Sequence, residues 1–112
     1  MSDIKSSLDK IKNLPKEPVI YHTKGALFEK LGKIDNAIKQ YKLAADFGYN
    51  KSQYALGNIY YLKKQYSEAE KWYTMAYKNG IIDAAFDIGN MYFNVQGYEY
   101  CLYWYEKAAS QG

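Results

Sequence analysis

Arginine is missing from this chain, and histidine, cysteine and proline are nearly so: 112 residues include one histidine, one cysteine and two prolines. A lone cysteine excludes a disulfide framework, so no oxidising compartment is required. With His22 and Cys101 alone there is no Cys/His cluster at metal-ligand spacing, and no credible Ser/His/Asp arrangement. Neither a P-loop nor a G-x-G-x-x-G turn occurs. The chain is therefore read as having no catalytic residue, no metal site and no cofactor. Two prolines and 8 glycines exclude collagen-like and linker-like chains. No apolar run approaches the ~18 residues that span a membrane. The opening Met1-Ser2-Asp3-Ile4-Lys5 has no apolar core of a signal peptide. The expected setting is cytoplasmic, with no membrane partner.

What is present suits a folded chain: 48% hydrophobic, 24% charged and rich in tyrosine, with 14. Shifted against itself by 32 residues, the sequence matches in six columns. Gly25, Gly57 and Gly89 coincide, as do Phe28, Tyr60 and Tyr92, and Ala37, Ala69 and Cys101. Then come Tyr41, Tyr73 and Tyr105, Ala44, Ala76 and Ala108, and Gly48, Gly80 and Gly112. The units run 18–49, 50–81 and 82–112. A repeat of this length is one supersecondary unit that buries its apolar face by stacking.

Spacing identifies the unit. Leu56, Gly57 and Tyr60 fall at i, i+1 and i+4, and Ala69, Tyr73 and Ala76 at i, i+4 and i+7. Ser67 and Glu70 predict a capping box at the start of the second helix, with Asp35 in the matching column of unit one. Gly48 and Gly80 predict left-handed helix ends. Each unit is thus helix, tight turn, helix. Glycine 57 and Ala69 are expected to let the two helices approach, with Tyr60 and Tyr73 filling the space beside them. In residues 1–17, Ile4, Leu8 and Ile11 recur at i, i+4 and i+7, which predicts a short amphipathic capping helix ended by Pro15 and Pro18.

These residues resemble the tetratricopeptide repeat family. Its Leu-Gly, aromatic, Ala, aromatic, Ala pattern is matched by Leu56-Gly57, Tyr60, Ala69, Tyr73 and Ala76. Ile88-Gly89, Tyr92, Tyr105 and Ala108 follow it in unit three, with Cys101 in place of alanine. Lys24 precedes Gly25 in unit one, the period of 32 is shorter than the usual ~34, and the family's proline is replaced by Gly48 or Gly80. Trp104 to Ala109, then Gly112, looks like the Sel-like relative of the family. The resemblance implies an all-α, right-handed α-α superhelix of three hairpins, with the first helices lining a concave side.

The stripe opposite the core on those helices carries Lys51, Tyr54, Asn58 and Tyr61 in unit two. In unit three it carries Phe86, Asp87, Asn90, Phe93 and Asn94, and in unit one His22, Ala26, Glu29 and Lys30. Asn58 and Asn90 share a column; an asparagine offers donor and acceptor side by side to an extended peptide. The resemblance implies that asparagines in this column hold a bound peptide. Tyr54, Tyr61, Phe86 and Phe93 offer rigid contact area at low entropic cost. A clamp for C-terminal carboxylates is not expected, because His22, Tyr54 and Phe86 stand where a lysine would be wanted. The expected role is a protein-interaction module for a peptide or protein partner.

The rival reading is a structural oligomerisation unit. Leu102, Tyr103, Trp104 and Tyr105, with Tyr98 and Tyr100, predict an uncovered aromatic end that self-associates or belongs to a longer array. Charge is uneven: +2 in unit one, +3 in unit two and −3 in unit three. That makes a dipolar molecule, or a groove with one basic and one acidic end. An acidic third unit and the missing arginine argue against nucleic acid.

Overall fold

The computed structural model describes residues 17–111. The helix expected over residues 1–17 falls, but for Glu17, outside the described residues, as does Gly112. Six helices follow: α1 (Pro18–Lys30), α2 (Ile34–Asp46), α3 (Asn50–Leu62), α4 (Tyr66–Lys78), α5 (Ile82–Asn94) and α6 (Tyr98–Gln111). No strand occurs among the described residues. Each helix packs on its neighbours in sequence, most extensively within the pairs α1–α2, α3–α4 and α5–α6. The fold is all-α, an array of three helical hairpins.

The helices start every 16 residues, at 18, 34, 50, 66, 82 and 98. The reason lies in the joints. Residues 32, 48, 64, 80 and 96 all have positive φ, between 62° and 106°. After each, an amide closes a six-residue loop onto the helix it leaves: Lys33 to Phe28, Tyr49 to Ala44, Gln65 to Tyr60, Ile81 to Ala76 and Gly97 to Tyr92, at 2.7–3.2 Å. This is the Schellman closure, which satisfies orphan carbonyls and reverses the chain. Glycine fills three of the five left-handed positions; Lys64 and Gln96 fill the others.

Helix entry differs from the sequence expectation. No capping box forms at Ser67: α4 begins one residue earlier, and its N-cap, Gln65, makes no side-chain bond. Glu70 is drawn away instead by hydroxyls of unit three, from Tyr92 and, at 2.7 Å, Tyr100. Asp35 likewise lies in the first turn of α2 and not at its N-cap, which is Lys33. An acid there still complements the helix dipole.

The glycine columns also do something sharper than allow close helices. A Cβ at Gly57 would stand 2.5–2.9 Å from ring atoms of Tyr73. Gly25 meets Tyr41 and Gly89 meets Tyr105 in the same way, with nearest approaches of 2.7 and 2.6 Å. The ring of each second helix occupies the space that a side chain on the first would need. Alanines 37 and 69 are fully buried beside these contacts, with Cys101 in the third copy. Leu56 and Ile88 are among the largest fully buried side chains of the core.

Buried polar groups join the first two hairpins. Ser52 Oγ and His22 Nδ1 share a 2.8 Å bond. Gln53 donates to the Ala45 carbonyl at 3.2 Å and accepts from Asn79 at 2.8 Å. His22 is thus a packing residue at a junction, not part of an open stripe.

Trp104 also departs from expectation. It is 6% exposed, edge-on to Tyr77 of α4 at 5.9 Å, and belongs to the core. Its column mate is the equally buried Trp72. The exposed large apolar side chains of α6 are Tyr98, Tyr100, Leu102 and Tyr103. No helix among the described residues is long and apolar enough to cross a membrane.

Candidate functional site

The site is built on α3 and α5; its stripe is not wholly opposite the core as expected, because Tyr54 and Tyr61 are partly buried and pack against the core. Tyr54, Asn58 and Tyr61 recur at i, i+4 and i+7 along α3, so they share one stripe. On α5 the corresponding turns carry Phe86 and Asp87, then Asn90, then Phe93 and Asn94.

The paired asparagines are oriented by the second helices. The Tyr73 hydroxyl donates to Asn58 Oδ1 at 2.6 Å, and the Tyr105 hydroxyl donates to Asn90 Oδ1 at 2.5 Å. A tyrosine ring buried on glycine carries its hydroxyl out to the far side of the first helix, where it needs a partner. Asparagine supplies one. No described group accepts from either amide nitrogen, so both remain free to donate outward. Unit one has Ala26 in this column, and Tyr41 turns instead to Glu29 at 2.5 Å.

Between α3 and α5 lies a hollow of about 100 Å³ lined by Tyr61, Tyr73, Asp87 and Asn90. Tyr54 flanks it, its ring 5.7 Å from that of Tyr73 and its hydroxyl donating to Asp87 Oδ2. Burial raises the Asp87 carboxyl above the usual carboxylate range; the Tyr54 bond opposes this and the nearby Asp83 adds to it. Burial also raises the Tyr54 and Tyr73 hydroxyls, helped by the negative charge of Asp87.

The structure therefore brings together Tyr54, Asn58, Tyr61, Asp87 and Asn90. Phe86 adjoins them, half exposed, with its ring 5.3 Å from Tyr105. Phe93 lies a turn further on and pairs with Tyr98 at 5.8 Å. Asn94 is exposed at the end of α5, and Lys51 is exposed near His22, whose basicity is lowered first by burial and then by the Lys51 charge. These last three stand apart from the hollow. The sequence expectation gave Tyr73 a filling role in the core and set Tyr105 in an uncovered aromatic end. The signal for their second role was the hydroxyl itself: a buried column of tyrosines, and not phenylalanines, requires polar partners.

Neither a protein-family model nor a curated protein matches this chain.

Proposed function

We propose that the chain is a protein-interaction module of the tetratricopeptide type, holding an extended segment of a protein partner against α1, α3 and α5. One observation carries this reading. Asn58 and Asn90, 32 residues apart, each have the carbonyl oxygen held by a tyrosine and an amide nitrogen that meets no acceptor among the described residues. Two donors fixed in equivalent positions on neighbouring helices suit the carbonyls of an extended backbone. Tyr54, Tyr61 and the exposed Phe86 supply apolar contact beside them. The reading assigns no catalytic group. A reducing cytoplasm suits a chain whose one thiol, Cys101, is buried and unpaired.

Selection from a displayed library of random peptides tests it. The wild-type chain is expected to enrich a family of sequences that the folded Asn58→Ala/Asn90→Ala double variant no longer retains. Equal enrichment by both, or none by either, refutes the reading.

A second reading rests on the outward face of α6. Tyr98 and Tyr103, each about half exposed, line an open hollow of about 600 Å³ that reaches from Gln96 to Tyr103, and Leu102 is exposed on the same helix. Self-association through this face predicts a dimer in sedimentation that Leu102→Lys/Tyr103→Lys abolishes. Trp104, being buried, is the wrong residue to change.

A further inference from the structure

We propose that the hollow between α3 and α5 receives a basic side chain of the bound segment, its cationic head resting on Asp87. The inference rests on the groove reading above and names the ligand chemistry of its centre.

Asp87 is a half-buried carboxylate without a countercharge among the described residues. Tyr54 donates to Oδ2, and no described side chain donates to Oδ1. The one ion pair among the described residues, Lys63 with Asp35, lies elsewhere. The neighbouring charge that Asp87 feels is Asp83, of the same sign. A carboxylate so placed is costly unless a cation completes it. The equivalent junction between the first two hairpins has Ala55 in this column, so the charge is not a general feature of the stacking.

The surroundings select for a cation. The Tyr54 and Tyr73 rings, tilted at 53°, stand with Tyr61 about the carboxylate, and aromatic faces attract ammonium and guanidinium groups. Asp83, beside Asp87 on α5, adds a second negative charge that repels anions from the same place. A hollow of about 100 Å³ has room for a charged head and a few methylenes but not for a helix. The free amide nitrogens of Asn58 and Asn90 then serve the carbonyls on either side of that residue.

Three short Gly/Ser peptides, blocked at both ends, test this. They differ only at a central lysine, norleucine or glutamate, and each is titrated into the ¹⁵N-labelled full chain at up to millimolar concentration. The lysine peptide is expected to shift the Asn58 and Asn90 side-chain amides and to bind about tenfold more tightly than norleucine, with glutamate weakest. Asp87→Asn, which keeps a partner for Tyr54, is expected to erase the lysine preference. Asp46→Asn, at the end of α2, is expected to preserve it. Norleucine binding as well as lysine, dependent on Asn58 and Asn90, overturns the cation site while leaving the groove intact. A lysine preference that survives in Asp87→Asn overturns it too. If no peptide binds, the cation site falls, and the library selection separately decides the fate of the groove.

Discussion

At single positions, small atoms carry much of the design. Gly57 is helical, so alanine there gains about 1 kcal/mol of intrinsic propensity. Its Cβ, however, would enter the Tyr73 ring at 2.5 Å, and overpacking of this kind costs about 1–3 kcal/mol. The collision outweighs the gain: Gly57→Ala is expected to lower stability in denaturant melts by up to about 2 kcal/mol. Tyr73→Phe keeps the ring and removes the hydroxyl that fixes Asn58. Because Asn58 is only partly buried, the loss should be modest, about 0.5–1.5 kcal/mol. The peptide affinity should fall with it, since Asn58 is released to rotate. Calorimetry with a selected peptide, beside a thermal melt, separates the two effects.

For whole helices and turns, the joints offer a test in the opposite direction. Lys64 and Gln96 hold φ of 62° and 65°, where Gly32 serves the equivalent turn. A left-handed non-glycine residue costs roughly 1–2 kcal/mol, and glycine's extra freedom when unfolded returns part of that. Lys64→Gly is therefore expected to raise stability by up to about 1 kcal/mol, read as a higher denaturant midpoint. The helices themselves were readable in the sequence because period and small-residue columns are local patterns. The stripe Tyr54, Asn58, Tyr61 and Asn90 was readable for the same reason. The cap at Ser67 was not, because Glu70 is claimed by Tyr92 and Tyr100, residues 22 and 30 positions away. Trp104 was assigned to an open surface because α6 has no successor in the sequence, yet its contact with Tyr77 reaches backward across the junction. His22 shared a column with Tyr54 and Phe86, but its partner Ser52 lies in a column that holds isoleucine and alanine in the other units. Long-range polar pairs leave no periodic trace.

Across the molecule, tyrosine hydroxyls set the response to alkali. Burial, reinforced by Glu29, Asp87 or Glu70, raises the hydroxyls of Tyr41, Tyr54 and Tyr92 above their ordinary value, and burial does the same to Tyr73. The unfolded chain loses these protons near pH 10 and the folded chain later. Their contribution is thus complete below about pH 10 and is lost as pH rises through the folded values. Denaturant midpoints should be flat to that pH and then drop, while phenolate absorbance lags in the folded protein. The acid side has the opposite sense. Burial, with Lys51 second and Glu29 opposing, lowers the basicity of His22. Its contribution is present above about pH 6.5 and is lost as pH falls toward the folded value, and His22→Gln should blunt that loss.

The 16-residue step between joints makes the chain a ruler. Two steps restore both direction and face, so a second copy of residues 50–81 spliced after the first meets its neighbours through surfaces that already fit. Such a chain should fold with a higher melting temperature, because each added hairpin contributes another junction. Splicing in a single step would instead reverse every later helix and scatter its tyrosines from their glycines. Length is thus a quantity this sequence can change only in whole units, and the spacing between anchoring points along a captured strand changes with it in equal increments.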